Sequence, residues 1–206
     1  MKIACLHTLE ANAALFDAAR PEGVELIHAT REDLLRRAIE RGEADEEIIE
    51  ETAAALKALA AESGADGVLL TCTTIAPGAA RAGATRVDAA LAEAAAAKAG
   101  PGGVVDALIT IPTTREATRG VFEAAAAPVG ATVRVVMVEG ALEAFQARDL
   151  DRYARIVADA ADKSTGDVVA LAQASMAPAA ALTTREAMTS PKAGLDAVIK
   201  VAAARG

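Results

Sequence analysis

The segment Gly67-Val68-Leu69-Leu70-Thr71-Cys72-Thr73-Thr74 changes within one residue from an apolar run to small polar side chains. A short apolar run that starts at a glycine and ends in hydroxyl-bearing residues is typical of a buried strand in a parallel sheet. Helical patterns lie on both sides of it, at residues 44–62 and 87–99. The segment therefore predicts a strand with Cys72 at its carboxyl end, where parallel sheets bind their ligands.

The same alternation of strand and helix patterns runs along the whole chain. Strand-like runs occupy residues 2–9, 24–29, 104–111, 132–138 and 168–172. Helical patterns occupy residues 12–19, 32–41, 115–127, 140–146, 150–161 and 194–204. We expect Thr30 to cap the helix at 32–41 and Gly64 to end the helix at 44–62. This alternation predicts an α/β fold in which parallel sheets are flanked by helices.

Composition and charge restrict the class of protein. Of the 206 residues, 53% are hydrophobic and only 2% aromatic, so the core must consist of Ala, Val, Leu and Ile. A net charge of −8 argues against nucleic acid as a partner, because a nucleic-acid binder must offset phosphate charge. No apolar run approaches the roughly 20 residues that span a bilayer, so no membrane partner is expected. A homo-oligomer remains open.

Two cysteines in a chain of this length do not make a disulfide framework. Charged residues follow the first apolar residues too soon for a signal peptide, so we expect a reducing, cytoplasmic setting. The cysteine spacing offers no metal motif, and His7 and His28 are too scattered in the sequence to suggest one. We therefore expect neither a metal nor another cofactor.

Three strands end in similar polar segments, at residues 70–74, 109–114 and 171–176. Each passes from apolar residues to small hydroxyl-bearing ones and then into a helix. Free backbone N–H groups at helix starts bind anions, and short Thr and Ser side chains add donors without filling the space. The three strand ends therefore predict a site for a small carboxylate.

Cys72 is the candidate reactive group. A thiol beside a helix start has its pKa lowered to about 3.5–7.5, and the resulting thiolate can remove a proton from carbon or attack an electrophile. The alternative is a small buried apolar residue, since free cysteine is often buried. For Cys5, within the first strand, that second interpretation is favoured.

These segments resemble a known family. Thr71-Cys72-Thr73-Thr74 resembles the first catalytic motif of the aspartate/glutamate/hydantoin racemase superfamily, and residues 86–90 resemble its next characteristic stretch. Thr110 with Thr113 and Thr114 resembles its substrate-binding turn. Residues 171–176 resemble its second catalytic motif, and residues 189–191 fit its ending. The similarities occur in order over almost the whole chain.

The resemblance implies two similar α/β domains that face each other across an active-site cleft, with the last helix returning to the first domain. With the breaker Gly100-Pro101-Gly102-Gly103 as boundary, we expect one domain of residues 1–99 plus 187–206 and a second of residues 100–186. It also implies catalysis without metal or pyridoxal phosphate. Two cysteines, one from each domain, flank the substrate carbon.

The sequence departs from this pattern at the second cysteine. Cys72 fills the first position, but Gln173 falls at the second, and glutamine has no titratable proton. Ser175 is close in sequence but has no histidine nearby to activate it. The candidate catalytic residues are Cys72, Gln173 and Ser175. The candidate substrate-binding residues are Thr8, Asn12, Thr71, Thr73, Thr74, Thr110, Thr113, Thr114 and Met176.

Two classes of function remain open. The first is a cofactor-independent enzyme on a small carboxylate such as an amino acid or dicarboxylate, either an isomerase with an unusual second base or a decarboxylase of a malonate-like acid. The family includes a decarboxylase branch with a single cysteine at the second position. Here the cysteine occupies the first, which implies chemistry of reversed handedness. The other class is a small-anion-binding protein without turnover.

Overall fold

The computed structural model describes residues 1–205, which divide into two compact units. The first contains residues Met1–Ala90 and the chain from Pro191 onward. Its strands are β1 (Lys2–His7), β2 (Glu25–Thr30), β3 (Gly67–Leu70) and β4 (Thr85–Arg86). All pair in parallel, in the order β2-β1-β3-β4. Its helices are α1 (Asn12–Ala19), α2 (Glu32–Arg41), α3 (Glu46–Ser63), α4 (Pro77–Ala82), the start of α5 (Val87–Ala99) and most of α9 (Ser190–Ala203).

The second unit, Leu91–Ser190, repeats this arrangement. Its strands are β5 (Val104–Ile109), β6 (Thr132–Met137), β7 (Val168–Leu171) and β8 (Ala187–Thr189), paired in parallel in the order β6-β5-β7-β8. Its helices are the rest of α5, α6 (Arg115–Ala126), α7 (Ala141–Gln146) and α8 (Leu150–Lys163). A 3-10 segment covers Ala174–Ala181. The predicted α/β fold of two similar parallel-sheet units is confirmed.

The chain passes between the units within α5 and at the start of α9. From the sequence, we predicted that the chain passes between the domains at Gly100 and again at residue 187. The glycine run itself forms the turn between α5 and β5, where Gly100 and Gly102 adopt φ values of 68° and 75°. Left-handed backbone of this kind favours glycine, so the run marks a tight turn within the second unit.

Local sequence explains where the long helices begin and end. The side chain of Asp45 accepts a hydrogen bond from the Ile48 N–H at the start of α3, and Gly64 ends that helix in the left-handed conformation. The expected role of Gly64 is thus confirmed. Thr30 was expected to cap α2, which is wrong: Thr30 is the last residue of β2, and Arg31 precedes the helix without a side-chain cap.

Each unit has its own aliphatic core. In the first, Leu6, Leu34, Ile48, Leu70 and Ile75 form a buried cluster between the sheet and helices α2–α4. In the second, the larger side chains of the buried cluster are those of Leu108, Tyr153, Val157, Leu171 and Met176. Close-packed cores hold the ends of the central strands at fixed positions. No helix among residues 1–205 is long and apolar enough to cross a membrane.

Candidate active site

Cys72 lies in the loop just beyond β3. Strand pairing continues one residue past Leu70, since the Thr71 N–H donates to the Leu6 carbonyl at 3.1 Å. The Cys72 side chain is half-buried and packs against the apolar cluster of the first unit. Helix α4 begins only at Pro77, so the helix start expected beside the thiol lies further along the chain. The thiol therefore combines an apolar side with partial exposure.

The three threonines around Cys72 differ in what their hydroxyls do. The Thr71 hydroxyl is buried, donates to the Leu6 carbonyl at 3.1 Å and lies 2.8 Å from His7 Nδ1. Thr73 is half-buried and Thr74 is exposed, and neither hydroxyl has a partner within residues 1–205. Thr71 thus ties the loop to β1, while Thr73 and Thr74 offer free donors next to the thiol.

In the second unit, Gln173 is fixed by a residue from the neighbouring strand end. Thr110 follows β5 and Gln173 follows β7, and these two strands pair in parallel. The Gln173 Oε1 atom accepts hydrogen bonds from the Thr110 N–H at 2.8 Å and from the Thr110 hydroxyl at 2.7 Å. With its carbonyl held twice, the amide group presents its NH2 as a pair of donors. The structure therefore brings together two of the predicted site residues.

Tyr153, which sequence reasoning missed, connects this pair to Ser175. Its hydroxyl lies 2.9 Å from Ser175 Oγ and 3.3 Å from Thr110 Oγ1. Burial raises the pKa of Tyr153, against the hydrogen bonds from Ser175 and Thr110, so its proton stays bound at neutral pH. In the sequence, Tyr153 fits the pattern of buried positions along α8. Its one distinguishing signal is that it is the single tyrosine of the chain.

The remaining predicted residues are spread over both units. Met176 is fully buried in the core of the second unit, so its side chain does not join the Gln173 group. The Thr114 hydroxyl donates to the Ile111 carbonyl at 2.7 Å, and Thr113 is exposed. In the first unit, Thr8 is buried directly after β1, and Asn12 is the first residue of α1.

Two histidines that are distant in sequence meet beside β1. His7 Nε2 lies 2.8 Å from His28 Nδ1, so residues that are scattered in the sequence are neighbours in the fold. Burial, followed by the neighbouring His28, lowers the pKa of His7 to about 4. Cys5 is fully buried next to this pair, and burial, assisted by Asp17, raises the pKa of its thiol to about 12. The burial of Cys5 is what its position within a strand predicted.

A groove of about 420 Å³ opens at the other end of β3, between Lys57, Asp66 and Arg205. It borders Gly67 and Val68, at the start of the strand, whereas Cys72 follows the strand's end. Because parallel sheets bind ligands at the carboxyl ends of their strands, we place the candidate site at Cys72 and not in this groove.

No protein-family model matches the sequence, and no curated protein matches it. Solved structures do. The aspartate racemase of Picrophilus torridus superposes with a TM-score of 0.72 at 14% identity, covering 98% of this chain and 94% of that one. The allantoin racemase of Klebsiella pneumoniae gives 0.63 at 18% identity, with 100% and 89% covered. The fold is that of the aspartate/glutamate racemases.

This racemase fold also includes an arylmalonate decarboxylase. A point mutant of that enzyme in its sulfate-associated form superposes with a TM-score of 0.60 at 16% identity, covering 100% of this chain and 95% of that one. Identities this low establish a shared fold and leave the reaction to be argued from the residues, because one fold supports several chemistries. In this chain those residues are a half-buried thiol in the first unit and a set of hydrogen-bond donors in the second.

Proposed function

We propose that this protein is a cofactor-independent enzyme that acts on a small carboxylate, with Cys72 as the group that carries the proton. The observation that supports this most is a half-buried thiol directly after a central strand, in a fold shared with racemases and a decarboxylase. Thr73 and Thr74 follow Cys72 along the chain, and their hydroxyls are donors suited to a carboxylate oxygen.

In this proposal Gln173 orients the substrate and does not move a proton. Its Oε1 atom is already held by both donors of Thr110, so its NH2 is the part available to a carboxylate or to the enediolate that forms from it. Such preorganised donors stabilise developing negative charge without rearranging during the reaction. Ser175 and Tyr153 support the same role, since their hydroxyls are engaged with each other.

One proton carrier suits a reaction that protonates carbon on one face. In the decarboxylation of a malonate-like acid, the bond between the α-carbon and one carboxylate breaks and CO2 leaves. The electron pair stays on the remaining enediolate, and the Cys72 thiol delivers its proton to the α-carbon. Solvent then returns a proton to the thiolate. An isomerase in which Cys72 removes a proton from one carbon and returns it to the neighbouring carbon on the same face would fit the same residues.

A second candidate is a protein that binds a small anion without converting it. What favours it is that the Gln173 group offers only hydroxyl and amide donors, and that Cys72 packs partly against the apolar core. Donors of this kind hold an anion whether or not a reaction follows.

The experiment that separates the two candidates is incubation in D2O with a panel of carboxylates that includes aspartate, glutamate and aryl- and alkylmalonates, together with allantoin. Deuterium at the α-carbon by NMR, or release of CO2, supports the enzyme. Saturable binding of a panel member without exchange or CO2 release over a day would contradict the enzyme and support the binding protein. Sulfate serves as a competing anion in both arms.

A further inference from the structure

We propose that Cys5, His7 and His28 form a binding site for Zn²⁺ in the first unit, which goes beyond the proposed function and does not depend on it. Cys5 and His7 are alternate residues of β1, so their side chains leave the same face of the sheet. His28 is the residue of β2 that pairs with Cys5. The register of two parallel strands thus gathers one sulfur and two imidazoles.

The three ligand atoms are close enough for one metal ion. Cys5 Sγ and one ring nitrogen of each histidine all lie within 4.8 Å of one another. Between the two rings, His7 Nε2 and His28 Nδ1 are 2.8 Å apart. Tetrahedral zinc, with Zn–N of about 2.0–2.1 Å and Zn–S of about 2.3 Å, needs its ligand atoms roughly 3.3–3.6 Å apart. Small side-chain rotations therefore suffice to admit the ion.

Hydrogen bonds orient His7 as a zinc ligand. The Thr71 hydroxyl gives its proton to the Leu6 carbonyl, so it must accept a hydrogen bond from His7 Nδ1–H. His7 Nε2 is then the bare nitrogen and faces His28. A metal-binding histidine normally donates its other ring N–H to an oxygen in this way, which fixes both the tautomer and the ring.

His28 provides a second, independent indication. Its Nε2 atom is buried and has no hydrogen-bond partner within residues 1–205, although Asp17 Oδ1 lies only 3.4 Å away. When His28 binds a metal through Nδ1, its ring proton moves to Nε2, where the Asp17 carboxylate is placed to accept it. The Cys5 thiol releases its proton to solvent as it binds the metal. One thiolate and two imidazoles with carboxylate support are ligands that Zn²⁺ prefers.

The site is complete except for one ligand position. The structure supplies three protein ligands, and tetrahedral zinc takes a fourth, for which water is the ordinary occupant. The His28 side chain, 21% exposed, gives the ion its route from solvent, while Cys5 and His7 are fully buried. Bound metal would link β1 to β2 and stabilise the first unit.

Cobalt is the probe for this site, because Co²⁺ replaces Zn²⁺ and reports a thiolate ligand through a sulfur-to-metal charge-transfer band. Protein stripped with a chelator is titrated with Co²⁺ and then with Zn²⁺. We expect one Co²⁺ per chain, a charge-transfer band, tetrahedral visible bands and displacement of Co²⁺ by Zn²⁺. Cys72→Ser is the matched control and should retain the band, whereas Cys5→Ser should lose it.

His28→Gln keeps the experiment decisive if Cys5→Ser does not fold, because His28 is the ligand with an exposed edge. We expect His28→Gln to weaken Co²⁺ binding by about 100-fold and Asp17→Asn by about tenfold, with Zn²⁺ raising the Tm of the wild-type protein and of Cys72→Ser but not of His28→Gln. Absence of saturable Co²⁺ uptake, or a band that follows Cys72 and not Cys5, would overturn the proposal. None of these readouts uses turnover, so their outcome is separate from that of the proposed function.

Discussion

Cys72 and Cys5 stand in opposite environments within the same unit. Cys72 is half-buried in a loop, whereas Cys5 is fully buried and has a thiol pKa near 12. Because the thiolate is the reactive form, iodoacetamide at neutral pH should alkylate Cys72 more than about tenfold faster than Cys5. Peptide mass spectrometry of the native protein measures both rates. Cys5→Ser should retain the fast site and Cys72→Ser should lose it, and faster alkylation of Cys5 would contradict the assignment.

Gln173, at the position of the second cysteine, predicts that the protein does not racemise amino acids efficiently. Inversion of an α-carbon needs a proton carrier on each face, and Gln173 supplies donors without a titratable proton. The wild-type protein should therefore show little or no interconversion of L- and D-aspartate or glutamate in a chiral chromatography assay. Of the variants Gln173→Cys and Gln173→Ser, only the cysteine variant should gain racemisation, because only it adds a titratable thiol. That activity should be weak, because the surroundings of residue 173 are not shaped to stabilise a thiolate. Brisk racemisation by the wild-type protein would show that another group provides the second proton.

The sequence predicted the site residues at strand ends but not the side-chain contacts between elements. Cys72 was predicted from its place after an apolar run, and Thr110 and Gln173 from the resemblance of their segments to the racemase superfamily. The structure confirms that each lies just beyond a strand end. The contact between His7 and His28 was not readable, because it arises from the register between β1 and β2, which no local pattern encodes. Tyr153 was missed for a related reason: its helix periodicity indicates burial but not which hydroxyl it meets.

At the level of secondary structure, helix bounds were predicted better than strand bounds. The bounds of α1, α2 and α5 match the sequence patterns, since apolar periodicity and glycine stops act over many residues. Except for β2, the predicted strands ended one or more residues too late, because apolar residues continue beyond the point where the neighbouring strand stops pairing. The strands β4 and β8 are two and three residues long and were missed, because runs that short have no periodicity.

Helices α3 and α4, which precede and follow the strand and loop that carry Cys72, pack too closely for a side chain at Gly78. A Cβ atom there would lie 2.6 Å from the Thr52 Cβ atom and 2.9 Å from the Ile49 carbonyl oxygen. Gly78→Ala should lower the free energy of unfolding by about 2 kcal/mol, because one of the helices must shift. Gly120→Ala in α6 is the matched control: its Cβ meets nothing within 4 Å and should stabilise by about 0.5–1 kcal/mol. Urea unfolding measures both, and equal stability of the two variants would refute this packing.

On the scale of the whole molecule, the two units share one strand order but differ in their polar groups. The second unit contains a buried carboxylate, Asp106, that accepts from Arg134 at 2.6 and 2.7 Å, from the Gly166 N–H at 2.8 Å and from the Ser164 hydroxyl. Burial opposes its ionisation, but these bonds outweigh burial and lower the pKa of Asp106. The carboxylate thus stabilises the fold above the ordinary aspartate pKa, and this contribution is lost as pH falls through the lowered value.

Asp106→Asn should therefore lower the free energy of unfolding at pH 7 by about 2–3 kcal/mol, somewhat less than for a fully buried pair because Arg134 is half-exposed. The difference from wild type should narrow as the pH falls below about 4, where the wild-type carboxylate also takes up a proton. Urea unfolding across this pH range gives both values. Asp196→Asn, in an exposed pair with Lys192, should change stability by less than about 0.5 kcal/mol. A pH-independent difference for Asp106→Asn would contradict the role given to its charge.

The central claim is that Cys72 carries the proton, and deuterium uptake tests it most directly. The wild-type protein and Cys72→Ser are first shown to have the same Tm, so that both are folded. Each is then incubated in D2O with the carboxylate that the wild type converts, and deuterium at the α-carbon is followed by NMR. We expect the wild type to add deuterium to one face only and Cys72→Ser to be slower by about 100-fold or more. Exchange by Cys72→Ser within about twofold of the wild-type rate would show that the proton comes from another group.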